Sequence, residues 1–318
     1  MKTPLHVAGL ALALAVCAPA RAAVYFAAHQ DDVVLMMGRS AQADIRSNVP
    51  TVIVTLTAGD AGNGRAAVSL AGIAARYYNQ MGNPYFRVRH NAQEAALALW
   101  VPASHSRIVQ RSTEYFGPDI PAVEKARLGN VTLYNLNLPD GSLQRFHSGT
   151  IAVLPDVAGA NRYTPAALGE TLRQIVSRNN RNQPTVVVNL PEHTPEHVEP
   201  GYNDNGAVAV HPDHGDHTAS GRLVRDALAE QSAFACVWQV AYMGYAIATM
   251  PDTMNSLEKL FQIQSFRALD TVLRNQGNVS YFVDLRAMRL GSMDPFHMSF
   301  FGKQRWRNGG GGASACKF

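Results

Sequence analysis

Two short clusters of histidine and aspartate carry side chains able to do chemistry. The first is Ala28-His29-Gln30-Asp31-Asp32, directly after an apolar run that predicts a strand over 23–28. In open α/β sheets, ligands bind outside the carboxyl ends of strands. His29 and Asp32 are three residues apart on the turn that follows, so both can reach one metal ion while Asp31 points elsewhere. The alternative is a solvated turn in which an aspartate caps a helix.

The second cluster is His211-Pro212-Asp213-His214-Gly215-Asp216-His217, after another predicted strand and a polar loop. Three histidines and two aspartates within seven residues are difficult to explain by packing alone. Neither cluster contains cysteine, and two histidines with one carboxylate are typical of catalytic zinc. Mixed nitrogen and oxygen ligands therefore favour Zn²⁺, with Fe²⁺ or Mn²⁺ the less favoured ions.

The paired clusters resemble the LmbE-like/PIG-L family of metal-dependent de-N-acetylases. That family has Ala-His-Pro-Asp-Asp-Glu after its first strand and His-x-Asp-His at a later strand end. Here Gln30 and Val33 replace the proline and the glutamate. The second motif fits two registers, 211–214 and 214–217. We favour 214–217, because residues 218–223 continue as the small-residue helix start of the family; the resemblance covers about 23–230.

The resemblance implies a deacetylase that removes the acetyl group of an N-acetylated amino sugar or glycoconjugate. It implies metal ligands, a general base that takes a proton from water, a histidine that stabilises the oxyanion or protonates the leaving amine, and a residue that tunes this histidine. The implied metal ligands are His29, Asp32 and His217, and the implied general base is Asp31. The histidine that acts on the oxyanion or the leaving amine is His214, and the residue that tunes it is Asp216.

Three further residues are candidates for contact with the substrate. Pro139-Asp140-Gly141 looks like a family turn near the sugar, and Arg89 is similar to a family arginine in the early helical region. Tyr202 lies in the polar loop before the second cluster, from which it can reach the same cleft.

Alternating strands and helices predict the fold class, a Rossmann-like three-layer α/β/α domain with a mostly parallel sheet. Nearly continuous β-branched and apolar runs are typical of strands buried on both faces. We predict strands over 23–28, 51–57, 131–137, 185–190 and 235–246. We predict helices over 33–46, 69–81, 88–100, 165–177 and 217–230.

The amino terminus has the pattern of an export signal. Lys2 precedes an apolar run over 7–18, and Ala20-Arg21-Ala22 fits the small-x-small cleavage rule. We therefore expect a signal peptide over 1–22, a single domain over 23–318 with a flexible tail after about 308, and secretion or periplasmic export. Lipoprotein anchoring through Cys17 is the alternative.

Composition excludes several classes of partner. Removing residues 1–22 deletes Lys2 and Arg21 and lowers the formal net charge from +4 to +2, with no basic cluster, so nucleic acid is not expected. No later segment is long and apolar enough to span a membrane. Cys236 and Cys316 form a disulfide or remain two thiols, and the sequence does not decide between these.

Three other interpretations stay open at this stage. A metallo-β-lactamase-like hydrolase shares His214-Gly-Asp-His217, but its first motif histidine would fall on Pro212. A sugar-binding module with a structural metal would have no use for Asp31 as a base. The loop before the second cluster either lines the cleft or binds a further metal through Glu192, His193, Glu196 and His197.

Overall fold

The computed structural model describes residues 21–60, 84–181, 183, 185–194, 203–204, 208–209, 213–277, 295–312 and 316. The strands of these ranges are β1 (Arg21–Ala27), β2 (Thr51–Thr57), β3 (Gln110–Glu114), β4 (Val123–Leu128), β5 (Val131–Leu138), β6 (Leu154–Pro155), β7 (Arg162–Tyr163), β8 (Thr185–Pro191), β9 (Asn203–Asp204), β10 (Val208–Ala209), β11 (Trp238–Tyr242) and β12 (Trp306–Gly310). The α-helices are α1 (Asp32–Met36), α2 (Gly38–Arg46), α3 (Tyr85–Ala98), α4 (Leu143–His147), α5 (Pro165–Asn179), α6 (Gly215–Ala229), α7 (Ser256–Val272) and α8 (Pro295–Met298).

Eight strands form one mixed sheet in the order β12-β11-β8-β1-β2-β5-β4-β3. The five central strands, from β11 to β5, are parallel to one another. At one edge β12 pairs antiparallel with β11. At the other edge β4 pairs antiparallel with β5, and β3 pairs antiparallel with β4. The carboxyl ends of β1, β2, β5 and β8 therefore meet along one edge of the sheet, where the first predicted cluster begins.

Both faces of the sheet are covered, which gives the predicted three layers. Along β1, Tyr25 packs into a core with α1, α2, α3 and α7, whereas Val24 and Phe26 pack into a second core with α4, α5 and α6. All residues of β2 are buried. The prediction of a mostly parallel sheet between helical layers is confirmed, because central strands that face two cores need the apolar runs seen in the sequence.

Most predicted elements form within a few residues of their expected bounds, but two predictions were wrong in detail. The helix over 33–46 is broken, since Met37 leaves helical geometry and a new helix starts at Gly38. The carbonyls of Val34 and Leu35 accept hydrogen bonds from the Gln262 side chain of α7 instead of from a continuing helix. The helix predicted over 69–81 lies outside the described residues.

The strand predicted over 235–246 is limited to β11. A 3₁₀ turn over Ser232–Phe234 precedes the predicted range, residues 235–237 are not in a strand, and a second 3₁₀ turn occupies Tyr245–Thr249. The chain leaves the sheet there because the Tyr245 backbone N–H donates to the Asp213 carboxylate. Helix α7 and strands β3, β4 and β12 were not predicted.

None of the helices among the described residues is both long and apolar enough to cross a membrane. Cys236, just before β11, and Cys316, after β12, form a disulfide with a Cα–Cα distance of 5.1 Å. The bond closes a loop of 80 residues and ties the C-terminal segment to the sheet edge.

Removal of this disulfide should destabilise the fold. Cross-linking a loop of this length restricts the unfolded chain, and losing it typically costs about 2–4 kcal/mol. We expect C236A/C316A to unfold at lower denaturant concentration than the wild type. Reductant should lower the midpoint of the wild type and leave that of the double variant unchanged. Equal midpoints for oxidised and reduced wild type would contradict the assignment.

Candidate metal centre

His29 and Asp32 lie on the turn between β1 and α1. The His29 backbone N–H donates to Asp32 Oδ2 over 2.8 Å. This hydrogen bond folds the turn so that Asp32 Oδ1 lies 3.5 Å from His29 Nδ1. A spacing of three residues thus places an imidazole nitrogen and a carboxylate oxygen side by side at the carboxyl end of the central strand.

His217 brings a third donor atom from the first turn of α6. Its Nε2 lies 3.2 Å from His29 Nδ1 and 3.1 Å from Asp32 Oδ1. The side chains of His29, Asp32 and His217 are only 7%, 3% and 1% exposed. The two clusters, 188 residues apart, therefore converge on one buried triangle of donor atoms.

The dimensions of this triangle fit a tetrahedral metal ion. Ligand atoms about 2.0–2.1 Å from a tetrahedral zinc ion lie about 3.3 Å from one another. The three edges here are 3.1, 3.2 and 3.5 Å. Each group of three or more closely spaced candidate ligands among the described residues includes His29.

Each imidazole uses its outer nitrogen to bind a carboxylate. His29 Nε2 lies 3.0 Å from Asp140 Oδ1, and His217 Nδ1 lies 2.7 Å from Asp213 Oδ1. If both outer nitrogens carry the hydrogen, the facing nitrogens have free lone pairs. Carboxylates in this position orient metal-binding histidines and raise their basicity.

The surrounding carboxylates make the triangle attractive to positive charge. Burial lowers the pKa of His29, but Asp32 and Asp140 outweigh it and raise this pKa to about 10. Burial also opposes charge on His217, whose pKa Asp32 and Asp213 nevertheless raise well above its ordinary value. Because the facing nitrogens are 3.2 Å apart, both rings cannot hold a proton between them. A single cation bound by both rings balances the negative charge of the surrounding carboxylates.

Asp31 lies beside the triangle but is paired with Arg89 of α3. Arg89 Nη2 is 3.1 Å from Asp31 Oδ1, and Arg89 Nε donates to Gln30 Oε1 over 3.1 Å. One Asp31 oxygen remains within 4.8 Å of the donor atoms of His29 and Asp32. The predicted base and the predicted substrate-binding arginine are therefore direct partners.

Gly59 makes room for this pairing. Its φ is +57°, and a Cβ there would come within 2.3 Å of Gln30 Oε1 and 2.8 Å of Arg89 Nε. Gln30, which replaces the family proline, is held by donation of its Nε2 to the Thr57 carbonyl. Val33, which replaces the family glutamate, is buried in the apolar core beneath the site.

His214 is the N-cap of α6, with its ring centroid 4.8 Å from that of His29. Its Nδ1 accepts the Asp216 backbone N–H over 3.2 Å. Burial and the neighbouring charges of His29 and His217 lower the pKa of His214. The neutral ring therefore carries its hydrogen on Nε2, as a donor.

A carboxylate oxygen of Asp216 lies within 4.8 Å of a ring nitrogen of His214, and the role of Asp216 in tuning His214 stays a prediction. The carboxylate accepts hydrogen bonds from the backbone N–H groups of Gly141 and Leu143, over 2.6 and 2.9 Å. Burial raises the pKa of Asp216 to about 6, against these hydrogen bonds and the charge of His29. Asp216 thus joins the start of α6 to the turn that carries Asp140, and its backbone N–H donates to His214 Nδ1.

Two residues of the site had no role in the sequence prediction. Asp213 was noted only as part of the second cluster, yet its spacing of four residues from His217 was a usable signal. Tyr245 packs edge-on against the His217 ring at 4.9 Å, and no motif points to it. Tyr245 lines a cavity of about 220 Å³ above the triangle, together with Asp31, Arg89 and Asp140. Asp213 lies behind this lining, where it accepts a hydrogen bond from the Tyr245 backbone N–H.

Glu192, His193 and Thr194 of the polar loop before the second cluster are among the described residues. Glu192 is fully buried and binds Arg307 of β12, with hydrogen bonds from Arg307 and from backbone and side chain of Thr194. Tyr202, Glu196, His197 and His211 lie outside the described residues, and their predicted roles remain predictions.

Comparisons with known proteins give similarities of fold only. No family model and no curated protein matches the chain. Solved structures similar to it include a diacetylchitobiose deacetylase from Pyrococcus horikoshii, at 14% identity and TM-score 0.43, covering 87% of this chain and 75% of that chain. An A40926 pseudoaglycone deacetylase follows at 15% identity and TM-score 0.44, with 80% and 83% covered.

A 4-carboxy-2-hydroxymuconate hydratase from Pseudomonas putida is also similar, at 11% identity and TM-score 0.39, covering 85% of this chain and 89% of that chain. Similarity at this level does not identify the reaction, which has to be argued from the site.

Asp213 provides a test of the metal centre that leaves the three donor atoms in place. Asp213→Asn keeps the size of the side chain and an oxygen acceptor for His217, but removes the negative charge. Loss of such a supporting carboxylate typically costs about 10–100-fold in metal affinity. We expect this decrease in a zinc titration of the metal-free protein.

The matched control is Asp226→Asn. Asp226 also binds a histidine, His147, but at the protein surface. This variant should bind zinc as the wild type does. Unchanged affinity in a correctly folded Asp213→Asn variant, checked by circular dichroism, would contradict the metal centre.

Proposed function

We propose that the protein is an exported metal-dependent hydrolase that removes the N-acetyl group from an N-acetylated amino sugar or glycoconjugate. The observation that carries the proposal is the buried triangle of His29, Asp32 and His217 with Asp31 beside it. The resemblance of the two motifs to the de-N-acetylase family supplies the reaction class. Zinc is the favoured ion because the donors are two imidazoles and one carboxylate.

The residues fit a divalent ion, which His29, Asp32 and His217 would hold. When bound there, such an ion supplies Lewis acidity, which polarises a carbonyl and lowers the pKa of water. Asp140 and Asp213 keep the two imidazoles in the orientation that ligation requires. The chain's other polar groups then have to position the substrate and move protons.

Asp31 is suited to accept the proton of the attacking water. The reaction forms a bond between the water oxygen and the acetyl carbon and breaks the carbon–nitrogen bond; the proton that Asp31 takes from water passes to the departing nitrogen, which yields acetate and an amine. Arg89 fixes the Asp31 carboxylate beside the donor triangle through a buried ion pair. A base held at this position needs no rearrangement before proton transfer.

His214 is suited to donate a hydrogen bond to the carbonyl oxygen. Its Nδ1 is occupied by the Asp216 N–H, so the donor is Nε2. Negative charge develops on this oxygen in the transition state, where a preorganised donor stabilises it. Of the two roles implied by the resemblance, oxyanion stabilisation is therefore the better supported one.

Export is supported by the signal-like N-terminal sequence and by the disulfide, since disulfides persist in oxidising compartments. The cleavage position needs adjustment within this proposal. β1 starts at Arg21, whose guanidinium binds Asp44, and Ala22 is buried. Ala18-Pro19-Ala20 also fits the small-x-small rule and leaves β1 whole; the intact mass of the mature protein distinguishes the two cleavage sites.

His214→Ala should lower kcat by about 10²-fold or more with little change in KM, as expected for a donor that acts in the transition state. His211→Ala should have a much smaller effect. Acetate release under steady-state conditions measures both. The opposite ranking would place the motif in the 211–214 register and contradict the role given to His214.

Asp31→Asn distinguishes an enzyme from a sugar-binding module. The amide retains an acceptor for Arg89 but is not a base. The variant should bind zinc and substrate nearly as the wild type does, while acetate release falls by about 10²–10⁴-fold. An active wild type matched by the variant would place the base elsewhere. A wild type that binds N-acetylated sugars without releasing acetate would favour the binding module.

A further inference from the structure

The C-terminal part of the chain forms one wall of the metal-site cavity. His297 and Phe300 line this cavity, together with residues of the candidate metal centre. Phe300 is fully buried and stacks on the Tyr245 ring, with 5.5 Å between the ring centroids and 29° between the planes. The C-terminal wall, residues 297–312, lies after the part of the chain that resembles the de-N-acetylase family.

Polar contacts hold the C-terminal wall against α7 and α2. The Gly302 backbone N–H donates to Gln262 of α7 over 2.8 Å, and the Gly302 carbonyl accepts the Met254 N–H over 2.9 Å. Gln304 reaches the start of α2, where its Oε1 accepts the Ser40 N–H over 3.3 Å and its Nε2 donates to Ser40 Oγ over 2.8 Å. Individual hydrogen bonds of this kind contribute little net stability, so the wall needs a further anchor.

Strand β12, which lies near the end of the wall, is weak by composition. Its last residues are Gly309 and Gly310, and Gly311 follows with a φ of +85°. Glycine weakens a strand because it has no side chain to pack and loses the most conformational freedom on folding. β12 also lies at the edge of the sheet, where it pairs with β11. The strand therefore depends on anchors outside its own backbone ladder.

One anchor of β12 is Arg307, which pairs with the buried Glu192. Arg307 Nη2 donates to Glu192 Oε1 over 2.7 Å. Glu192 directly follows β8, and its backbone N–H donates to the Tyr242 carbonyl over 2.7 Å. A buried carboxylate that loses its partner is strongly destabilising. The docking of β12 therefore also stabilises the chain where it leaves β8 towards the second cluster.

The covalent anchor is the disulfide between Cys236 and Cys316. Both cysteines are buried in the core that contains α4, α5 and α6. The loop of 80 residues that the bond closes contains the C-terminal wall, Tyr245 and Arg307. Closing a loop of this length removes many conformations in which the wall is detached from the sheet.

We propose that formation of the Cys236–Cys316 disulfide completes the metal-site cavity, because it secures the C-terminal wall. In the dithiol form β12 leaves the sheet edge, and Phe300 moves away from Tyr245. The proposed metal ligands lie outside the closed loop, so they stay together in both forms. The effect on substrate rests on the proposed function, whereas the assembly of the wall does not.

Formation of this bond is a two-electron oxidation. The two thiols pass two electrons and two protons to a disulfide-bearing oxidant, whose own S–S bond breaks to give two thiols as the Cys236–Cys316 bond forms. Compartments that receive exported proteins support this exchange, whereas the cytosol keeps thiols reduced. With export as proposed, the cavity is therefore complete only after the chain has left the cytosol.

Hydrogen–deuterium exchange of the full chain, with and without dithiothreitol, tests the assembly of the wall. The Met243 N–H donates to Arg305, the Met254 N–H to Gly302, and the N–H of Gly312 donates back to the sheet edge. These amides therefore report detachment of the wall. Reduction should speed their exchange by about 10-fold or more, while the amides of β1 and β2 exchange as before.

The control for reduction is C236A/C316A. It should exchange as the reduced wild type does, with or without dithiothreitol. Unchanged exchange at all three amides of the reduced wild type would overturn the proposal. Equal acceleration in β1 and β2 would overturn it too, because the wall would then not be a separate unit.

Steady-state acetate release tests the role of the wall in substrate binding. C236A/C316A and Phe300→Ala should each raise KM by about 10-fold or more, as expected when binding contacts are lost. Both should bind zinc as the wild type does, because the wall provides no proposed ligand. Phe300→Leu keeps an apolar side chain in the wall and should have a smaller effect. Met298→Ala, at an exposed position of α8, is the matched control and should leave KM unchanged.

An unchanged KM in both C236A/C316A and Phe300→Ala would overturn the proposal, as would loss of zinc binding in C236A/C316A. A wild type that releases no acetate from any N-acetylated sugar would contradict the proposed function instead. The exchange measurement would then decide by itself whether the disulfide secures the wall.

Discussion

The approach of two imidazole nitrogens to within 3.2 Å of each other, with a carboxylate oxygen against both, is the constraint on which the site depends. Two lone pairs facing each other in a buried pocket are unfavourable unless a cation lies between them. The arrangement persists because carboxylates surround it, and their charge stabilises a cation in the triangle. A metal-binding role follows from this electrostatic requirement more directly than from any motif.

The order of the strands in the sheet brings the residues of the candidate metal centre together. β1 and β8 are neighbours, so the turn after β1 and the segment that leads into α6 meet at one edge. Asp216 then joins the start of α6 to the turn after β5, which places Asp140 against His29. Asp213 contacts His217 and the backbone of Tyr245, and so joins α6 to the chain after β11. The candidate ligands and the carboxylates that contact them thus come from segments that follow different strands of one sheet.

Patterns within one segment predicted much of this arrangement. Apolar runs such as 51–57 predicted the central strands, and the resemblance of the two clusters to the family implied that His29, Asp32 and His217 would meet. The supporting contacts are different, because they depend on tertiary structure. The pairing of Asp31 with Arg89 joins residues 58 positions apart, and Asp140 meets His29 across 111 positions. No local spacing indicates such pairs. The β3–β4 hairpin was missed because β3 is polar and largely exposed, so it lacks the apolar period of a buried strand.

The central claim is that His29, Asp32 and His217 hold one divalent ion that is required for hydrolysis. The most direct measurement adds zinc stepwise to metal-free protein and follows bound zinc and acetate release from an N-acetylated oligosaccharide in the same samples. Acetate release should rise in proportion to bound zinc and reach its plateau at about one ion per chain. Acetate release at the full rate from metal-free protein, or a plateau that His29→Ala and His217→Ala leave unchanged, would contradict the account.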